Sequence, residues 1–345
     1  MSNGNAERGA IAVIGAGSWG TALSLILGKA GWQVRLWARR PEMAAAIRRE
    51  RRNPEYLSQF ALPEAVEATS DLRDAVGGAR MVVLAVPSDG IGEVSQQLAP
   101  CLHPDQGVIS AAKGLEHETG RRLSQVVEAA LGATPRGPVA VLSGPNLAPE
   151  VAAGVASATV VACADPSFAA EAQAALSTPR FRVYTNPDVP GVELGGALKN
   201  IIAIGAGASD GLGFGDNTKA ALLTRGLAEI TRLGVALGAR GETFRGLSGM
   251  GDLVATCASR KSRNYLVGCE LAKGRRLEEV LAGMSQVAEG VETTRAAQTL
   301  AAQAGVEMPI TSAVHALLFE GTAPEDAVRS LMSRTWRDEL ELFAR

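Results

Sequence analysis

A single lysine in an otherwise uncharged helical stretch is the residue of this sequence best suited to chemistry. Lys199 is the only ionisable group between Glu193 and Asp210, in a run of small and apolar residues. A helix of that composition is expected to be buried on most faces, so the ammonium must reach solvent, find a partner or have a lowered pKa. A desolvated lysine is a good proton donor to a carbonyl oxygen, whereas a lysine that reaches solvent at the helix surface has no such role. The pattern leaves both interpretations open.

Two polar turns follow in the second half of the chain. Residues 248–252 form a glycine-rich turn that presents one acid, Asp252. Ser262, Arg263 and Asn264 stand at the start of a predicted helix and, with its free N–H groups, are residue types that bind a phosphate dianion. The alternative for this second turn is a solvated basic surface.

Two further segments follow predicted strands of the first half. One carries Lys113, and the other reads Ser143-Gly144-Pro145-Asn146. Ligands bind at the carboxyl ends of parallel strands, so Lys113 could help to bind an anionic substrate. The second segment could equally be a plain Gly-Pro turn.

A dinucleotide-binding signal lies near the amino terminus. Residues 15–20, GAGSWG, fit G-x-G-x-x-G between a predicted strand and a predicted helix. In that setting Gly15 allows the tight turn, Gly17 lets the backbone approach the pyrophosphate, and Gly20 lets helix and strand pack closely. The helix start then offers N–H groups to the phosphates. A glycine turn without a nucleotide is the alternative.

The residues after the second predicted strand bear on the choice of cofactor. This place normally carries an acid that holds the adenine ribose, but here it reads Trp37-Ala38-Arg39-Arg40. Arginine can pair with a 2′-phosphate that an acid would repel. The sequence therefore favours NADPH, or the use of both cofactors, unless these arginines are only solvated.

The elements that must position these residues change in kind along the chain. Short β-branched runs alternate with helical stretches up to about residue 190, and this pattern predicts a doubly wound, mostly parallel sheet. Strands are predicted at 11–14, 33–37, 81–86, 107–111, 139–142, 159–162 and 181–184. Helices alone are predicted afterwards, at 191–209, 217–238, 262–273, 277–283, 290–304, 311–320 and 324–333. The fold class is thus an α/β Rossmann-type dinucleotide-binding domain, residues 1–190, followed by an all-α helical substrate domain, residues 191–345.

Composition excludes several classes of protein. The formal net charge of −2 and an aromatic content of 4% give no reason to expect nucleic acid as a partner. No run approaches the ~20 apolar residues of a membrane span, and the first ten residues lack the apolar core of a secretory signal. Four cysteines without a C-x-x-C pair fit reduced thiols, so we expect a cytoplasmic protein. The three histidines show neither metal-ligand spacing nor a triad pattern, and no metal is predicted.

Taken together, these segments resemble the NAD(P)-dependent glycerol-3-phosphate dehydrogenases of bacteria. The matching pieces run in family order across nearly the whole chain: GAGSWGTA (15–22), LWAR (36–39), AVPS (85–88), KGLE (113–116), SGPN (143–146), GGALKNIIAIGAGASDGLGFGDN (195–217), TRGLAE (224–229), GMGDLVATC (249–257), SRN (262–264), VAEGVET (287–293) and VEMPI (306–310). The long piece around Lys199 is far more specific than the nucleotide fingerprint.

The resemblance implies an activity and a set of site residues. The activity is reversible reduction of dihydroxyacetone phosphate to sn-glycerol 3-phosphate with NADPH or NADH, which supplies glycerophospholipid synthesis. Lys199 is implied as the general acid. The implied substrate contacts are Lys113, Gly144, Asn146, Lys199, Asp252, Ser262, Arg263 and Asn264. The implied cofactor contacts, beside the three fingerprint glycines, are Ser18, Trp19, Arg39, Lys113, Ala148, Arg263, Val287 and Glu289. Asn146 stands where many members carry Ser or Thr, and a homodimer is implied by resemblance alone.

Two other functions compete with this one. A two-domain β-hydroxyacid dehydrogenase or a ketopantoate reductase would share the fingerprint and a helical-domain lysine, but should lack the 262–264 phosphate turn. A non-catalytic dinucleotide sensor would leave Lys199 without a purpose. Oxidation of the reduced cofactor on addition of dihydroxyacetone phosphate separates the three.

Overall fold

The structure, a computed structural model, describes residues 9–132, 137–284 and 286–335. Residues 1–8, which form most of the segment in which a secretory signal was sought, lie outside the described residues. Contacts divide the described chain into two compact units. The first holds residues up to Ala112, Leu123–Leu142 and Asn146–Val189, and the second holds Lys113–Arg122, Ser143–Pro145 and the residues from Pro190 onward. What residues 1–190 and 191–345 each bind remains a prediction.

An eight-stranded sheet forms the centre of the first unit. Its strands are β1 (Ala10–Ile14), β2 (Gln33–Trp37), β3 (Val66–Thr69), β4 (Ala79–Leu84), β5 (Gly107–Ser110), β6 (Val139–Ser143), β7 (Ser157–Ala162) and β8 (Phe181–Asn186). They lie in the order β3-β2-β1-β4-β5-β6-β7-β8. The pairs β1–β2, β2–β3, β1–β4, β4–β5, β5–β6 and β7–β8 are all parallel. The predicted α/β fold class is confirmed.

Helices cover both faces of this sheet. They are α1 (Ser18–Lys29), α2 (Pro41–Glu50), α3 (Leu72–Val76), α4 (Ile91–Leu98), α5 (Leu123–Leu131), α6 (Ala148–Ala152) and α7 (Pro166–Leu176). Successive residues of β1 point to opposite faces, so Ile11 and Val13 enter one apolar core while Ala12 and Ile14 enter the other. Burial on both faces explains why the central strands read as unbroken apolar runs.

One strand was not predicted, and another is shifted along the chain, while other strand ends differ by one or two residues. β3, with the sequence VEAT, was not predicted, because it is a short edge strand with Glu67 exposed and has no continuous apolar run. β4 runs from Ala79 to Leu84 rather than over residues 81–86. The chain therefore leaves the sheet earlier than predicted, and Ala85 and Val86 belong to the turn beyond β4.

The second unit is built from helices. They are α8 (Val189–Gly211), α9 (Asp216–Ala236), α10 (Asp252–Ala258), α11 (Arg263–Ala272), α12 (Leu277–Ala282), α13 (Gly290–Ala304), α14 (Pro309–Phe319) and α15 (Pro324–Met332). This confirms the predicted all-helical part, although α10, which begins at the last residue of the predicted 248–252 turn, was not predicted. A wide, π-type turn, Leu247–Gly251, leads directly into α10. No helix in the described ranges is long and apolar enough to cross a membrane.

Helix α8 lies in the apolar core of this unit, and its backbone is in direct contact with the backbone of α11. A β-carbon at Gly207 would lie 1.9 Å from the carbonyl oxygen of Tyr265, and one at Gly268 would lie 2.0 Å from that of Ile204. Only glycine fits at such distances. The two backbones therefore meet directly, and this contact fixes where α11 begins relative to α8.

Candidate active site

The long helix α8 buries its one internal lysine. Lys199 is 5% exposed, in a helix whose other buried residues are mostly small or aliphatic. Its ammonium donates hydrogen bonds to Oδ1 of Asp252, at 2.8 Å, and to Oγ1 of Thr256. The lysine therefore does not reach out to solvent, and of the two interpretations left open by the sequence the buried one is correct.

Asp252 lies at the start of α10 because the preceding turn is forced into a tight path. A β-carbon at Gly249 would lie 2.0 Å from the carbonyl oxygen of Phe244, and one at Gly195 would lie 3.0 Å from that of Ser248. These glycines bring the turn against α8. Helical turns with an inserted residue often occur at functional sites, and here the insertion directs the Asp252 carboxylate at Lys199.

A second lysine completes the cluster. Nζ of Lys113 lies 2.6 Å from Oδ2 of Asp252 and donates to the carbonyl oxygen of Gly144 at 2.8 Å. Lys113 begins residues 113–122, the Lys113 loop, which belongs to the helical unit although its neighbours in sequence belong to the first unit. One carboxylate thus accepts hydrogen bonds from two ammonium groups, and the cluster carries a net positive charge.

The surroundings of Lys199 change its acidity. Burial is the largest cause and lowers its pKa from 10.5 to about 8; the nearby charge of Lys113 lowers it as well, while Asp252 opposes both. Burial also raises the pKa of the adjacent Cys257 thiol to about 12, so that thiol stays protonated near neutral pH. At neutral pH Lys199 holds a proton that it can lose readily, as a general acid requires.

The start of α11 presents the second polar group of this unit. Oγ of Ser262 accepts a hydrogen bond from the N–H of Tyr265 and caps the helix, and the exposed Arg263 follows as its first residue. Oδ1 of Asn264 accepts from the N–H of Gly290 at 2.9 Å. That bond fixes the amide so that its Nδ2 group is the donor left for other contacts.

Three helices meet beside Lys199. A β-carbon at Gly290 would lie 2.8 Å from both the carbonyl oxygen of Asn200 and Oδ1 of Asn264, so the start of α13 touches α8 next to Lys199 and α11 next to Arg263. The structure therefore places the residue after Lys199 and the residue after Arg263 against the same glycine. Glu289 is the residue that precedes α13, and Val287, just upstream, is 43% exposed.

In the first unit the fingerprint glycines have the conformations that the motif requires. Gly15 has φ of +117°, and a β-carbon there would lie 2.7 Å from the carbonyl oxygen of Ala85. A β-carbon at Gly20 would lie 1.8 Å from the carbonyl oxygen of Gly15, whereas nothing lies within 4 Å of one at Gly17. Two of the glycines thus satisfy packing, and the third faces open space where a ligand could approach.

The helix that follows this turn has an N-terminus with no side-chain cap. Helix α1 begins at Ser18, and no side-chain hydrogen bond caps it at Gly17. Trp19 packs against Phe181, with ring centroids 6.5 Å apart. The first N–H groups of α1 are available to an anion, as they are where a dinucleotide pyrophosphate binds.

The two arginines after β2 differ in their contacts. Nη2 of Arg40 lies 2.5 Å from the Glu55 carboxylate, and this raises the Arg40 pKa. Arg39 is exposed, and within the described ranges it forms no side-chain hydrogen bond or ion pair. Arg39 is therefore the arginine that remains available to an anionic ligand.

Asn146 and Ala148 belong to the first unit. Nδ2 of Asn146 donates to the carbonyl oxygen of Ala158 at 3.0 Å, and its buried Oδ1 has no hydrogen-bond partner in the described part of the chain. Ala148 begins α6 and packs partly against the apolar core of the sheet. A substrate contact of Asn146 would have to use that unpartnered oxygen.

Sequence reasoning missed Thr256 and Asn200. Thr256 contacts Lys199 only because it lies one helical turn after Asp252, on the helix α10 that was not predicted. An i, i+4 pairing of Asp252 with Thr256 was visible in the sequence and could have indicated that helix. Asn200 contributes its backbone carbonyl to the junction at Gly290, and no side-chain pattern indicates such a contact.

Comparisons with known proteins cover nearly the whole chain. The family model described as NAD-dependent glycerol-3-phosphate dehydrogenase N-terminus matches residues 10–169, and the corresponding C-terminus model matches residues 188–329. A protein of Moorella thermoacetica named glycerol-3-phosphate dehydrogenase [NAD(P)+] is 52% identical over 96% of this chain and 98% of its own length. One of the same name from Nitratidesulfovibrio vulgaris is 50% identical over 95% and 99%.

A solved structure agrees with these matches. The crystal structure of glycerol-3-phosphate dehydrogenase from Coxiella burnetii superimposes with a TM-score of 0.90 at 40% sequence identity, over 95% of this chain and 99% of that one. Both halves of the chain match in sequence, and the relatives are matched over almost their full length. The chain therefore belongs to the NAD-dependent glycerol-3-phosphate dehydrogenase family of oxidoreductases.

Proposed function

We propose that this chain catalyses the reversible reduction of dihydroxyacetone phosphate to sn-glycerol 3-phosphate, with NADPH or NADH as reductant. The observation that carries the proposal is the buried Lys199–Asp252–Lys113 cluster, in the same unit as the start of α11. A ketone phosphate requires a proton donor for its oxygen and a cationic site for its phosphate. The contacts at Gly290, which join the residue after Lys199 to the residue after Arg263, support this pairing.

Lys199 is the proton donor of the proposed reaction. Reduction places negative charge on the carbonyl oxygen, and the Lys199 ammonium supplies the proton while Asp252 and Thr256 hold its direction. With a pKa of about 8 the group is mostly protonated at neutral pH and gives up its proton more easily than a solvated lysine. Lys113 adds a second positive charge that favours the anionic transition state.

The phosphate is bound at the start of α11. Arg263 offers a fork of donors, Asn264 offers Nδ2, and Ser262 keeps its hydroxyl hydrogen while its oxygen caps the helix. The ten-residue helix adds backbone N–H groups and the positive end of its dipole. Fixing the phosphate would hold the carbonyl in one orientation, which is a large part of the catalytic advantage of a bound ketone.

The dinucleotide fits the first unit. The left-handed turn at Gly15, the open space at Gly17 and the uncapped N-terminus of α1 form the cradle that a pyrophosphate needs. When bound there, the reduced nicotinamide supplies the hydride that the substrate carbon accepts. Arg39 would pair with the 2′-phosphate of NADPH, and we therefore propose that NADPH is accepted at least as well as NADH.

Further assignments follow from the family. We propose that Gly144 and Asn146 contact substrate, that Ser18, Trp19, Ala148, Val287 and Glu289 contact the cofactor, and that Lys113 and Arg263 touch both ligands. We also propose a cytoplasmic homodimer whose product feeds glycerophospholipid synthesis.

The test is oxidation of NADPH and NADH by the purified protein in the presence of dihydroxyacetone phosphate. Unphosphorylated dihydroxyacetone and ketopantoate serve as controls. We expect turnover of the phosphate ester alone, and a strong rise in its KM for Arg263→Ala. Equal turnover of dihydroxyacetone would contradict the phosphate site, turnover of ketopantoate would support the rival reductase, and binding of cofactor without turnover of any ketone would support a sensor.

A further inference from the structure

A buried ion pair outside the residues assigned so far links the Lys113 loop to α8. Nη1 of Arg122 lies 3.0 Å from Oε2 of Glu193, and the Glu193 side chain is only 3% exposed. Arg122 ends the loop that Lys113 begins, and Glu193 lies upstream of Lys199 on α8. The pair therefore ties the segment that carries one active-site lysine to the helix that carries the other.

Other contacts within the loop connect the Arg122–Glu193 ion pair to Lys113. Leu115 and Arg122 form a β-bridge across the loop, and the Leu115 side chain is buried in the core of the helical unit. Other ion pairs of the loop lie at the surface, such as Arg121 with Glu116. The buried contacts are thus made by Leu115, close after Lys113, and by Arg122, its partner in the bridge.

We propose that the Arg122–Glu193 pair positions Lys113 against Asp252. Arg122 and Glu193 are positioning residues in this inference, which rests on the proposed function for the role of Lys199. Without the anchor the loop would move on α8, and Lys113 would lose its 2.6 Å contact with the Asp252 carboxylate. Asp252 would then be paired with Lys199 alone.

The loss of that contact has a definite electrostatic sign. The titratable groups around Lys199 are Asp252, Lys113 and Cys257, and the charge of Lys113 lowers the Lys199 pKa while Asp252 raises it. Moving Lys113 away therefore raises the Lys199 pKa. Since the reduction needs protonated Lys199, the fall of kcat at high pH should move to higher pH.

The experiment compares two changes in the buried pair with one change in the surface pair. Glu193→Gln removes the buried charge while leaving Arg122, 20% exposed, able to reach water. A double variant, Arg122→Met with Glu193→Gln, avoids leaving either charge unpaired and serves if the single variant unfolds. Arg121→Met is the matched control, because it removes an arginine and an ion pair from the same loop at an exposed position.

We expect both buried-pair variants to lose at least tenfold in kcat and to shift the alkaline limb of the kcat–pH profile to higher pH. Arg121→Met should change neither of these by more than about twofold. An unshifted limb in folded buried-pair variants, or an equal shift in Arg121→Met, would overturn the proposal.

A second readout does not depend on turnover. The pH dependence of Lys199 acylation by a small anhydride, followed by mass spectrometry of its peptide, reports the Lys199 pKa directly. This pKa should rise in the buried-pair variants and stay fixed in Arg121→Met; if it stayed fixed in the folded buried-pair variants, the positioning role would be wrong. A wild-type protein inactive on dihydroxyacetone phosphate would contradict the proposed function, and the acylation result would still decide the positioning role.

Discussion

The two candidate sites of this molecule are built in opposite ways. The pyrophosphate cradle proposed for the cofactor is made of backbone: one short stretch with Gly15 and Gly17 leaves N–H groups and open space. The proposed catalytic cluster is made of side chains from Lys113, Lys199 and Asp252, which are far apart in sequence and are joined only by folding. A backbone site depends on which side chains are absent, whereas a side-chain site depends on which are present and how their charges interact.

The largest effect should come from removing the cluster's proton donor. Lys199→Met keeps length and apolar packing but deletes the ammonium, so kcat for reduction should fall by roughly 10²–10⁴. Steady-state kinetics with cofactor titration and a thermal melt check this. NADPH affinity should be retained, because Lys199 is not among the proposed cofactor contacts. A folded, cofactor-binding variant with near-normal kcat would break the comparison.

The next largest effect should come from a side chain beside the cofactor cradle, Arg39. Arg39→Gln should weaken NADPH binding by about 10- to 100-fold, the loss of a charge-assisted contact worth ~1.5–3 kcal/mol, and leave NADH binding nearly unchanged. Arg40→Gln is the control, since Arg40 is already engaged with Glu55. Fluorescence titration of both cofactors measures the effect. Equal losses for NADPH and NADH in Arg39→Gln would rule out a 2′-phosphate contact.

A smaller effect should follow from filling the open space at the glycine turn. Gly17→Ala meets no protein atom within 4 Å, so the melting temperature should not change. A methyl group there would crowd a bound pyrophosphate, and we expect both cofactors to bind several-fold more weakly. Calorimetric titration and a thermal melt separate the two properties. Unchanged affinity would mean that the phosphates do not approach Gly17.

The finest test concerns the charge balance of the cluster. In the wild type, kcat for reduction should be constant at low pH and fall as pH rises through about 8, where Lys199 loses its proton. Asp252→Asn removes the group that raises the Lys199 pKa, so the fall should begin at lower pH. Rate–pH profiles of both proteins, with melts at each pH, make the comparison. A fall at higher pH in Asp252→Asn would contradict the assigned sign.

The same contrast explains what could be predicted from the sequence. The glycine turn, the alternating strands and helices, and the isolated Lys199 are local patterns, and each was visible in one short window. The partners of Lys199 are not local: the structure joins Asp252 to Lys113 across 139 positions of sequence and places Thr256 on an unpredicted helix. Such contacts depend on how the elements pack, and the periodicity of the sequence does not indicate that packing.

Element boundaries failed for a related reason. β3 forms because the edge of the sheet offers it hydrogen bonds from β2, not because VEAT is a strong strand sequence. The turn before Asp252 was predicted from its glycines as irregular, but Gly249 is required by the close carbonyl of Phe244, and the chain stays helical. In both places contacts with a neighbouring element determined the backbone conformation, and the conformational preference of the local sequence did not.

Because of the backbone contact between α8 and α11, the proposed active site should be sensitive to substitution at positions outside the proposed ligand contacts. Arg263 begins α11, and Gly268 lies about 7.5 Å further along the same helix. A methyl group at Gly207 or Gly268 would overlap the backbone of the facing helix and push α11 away from α8. Natural variants with alanine at either position should therefore be rare, and those that survive should show defects that resemble direct damage to the phosphate site.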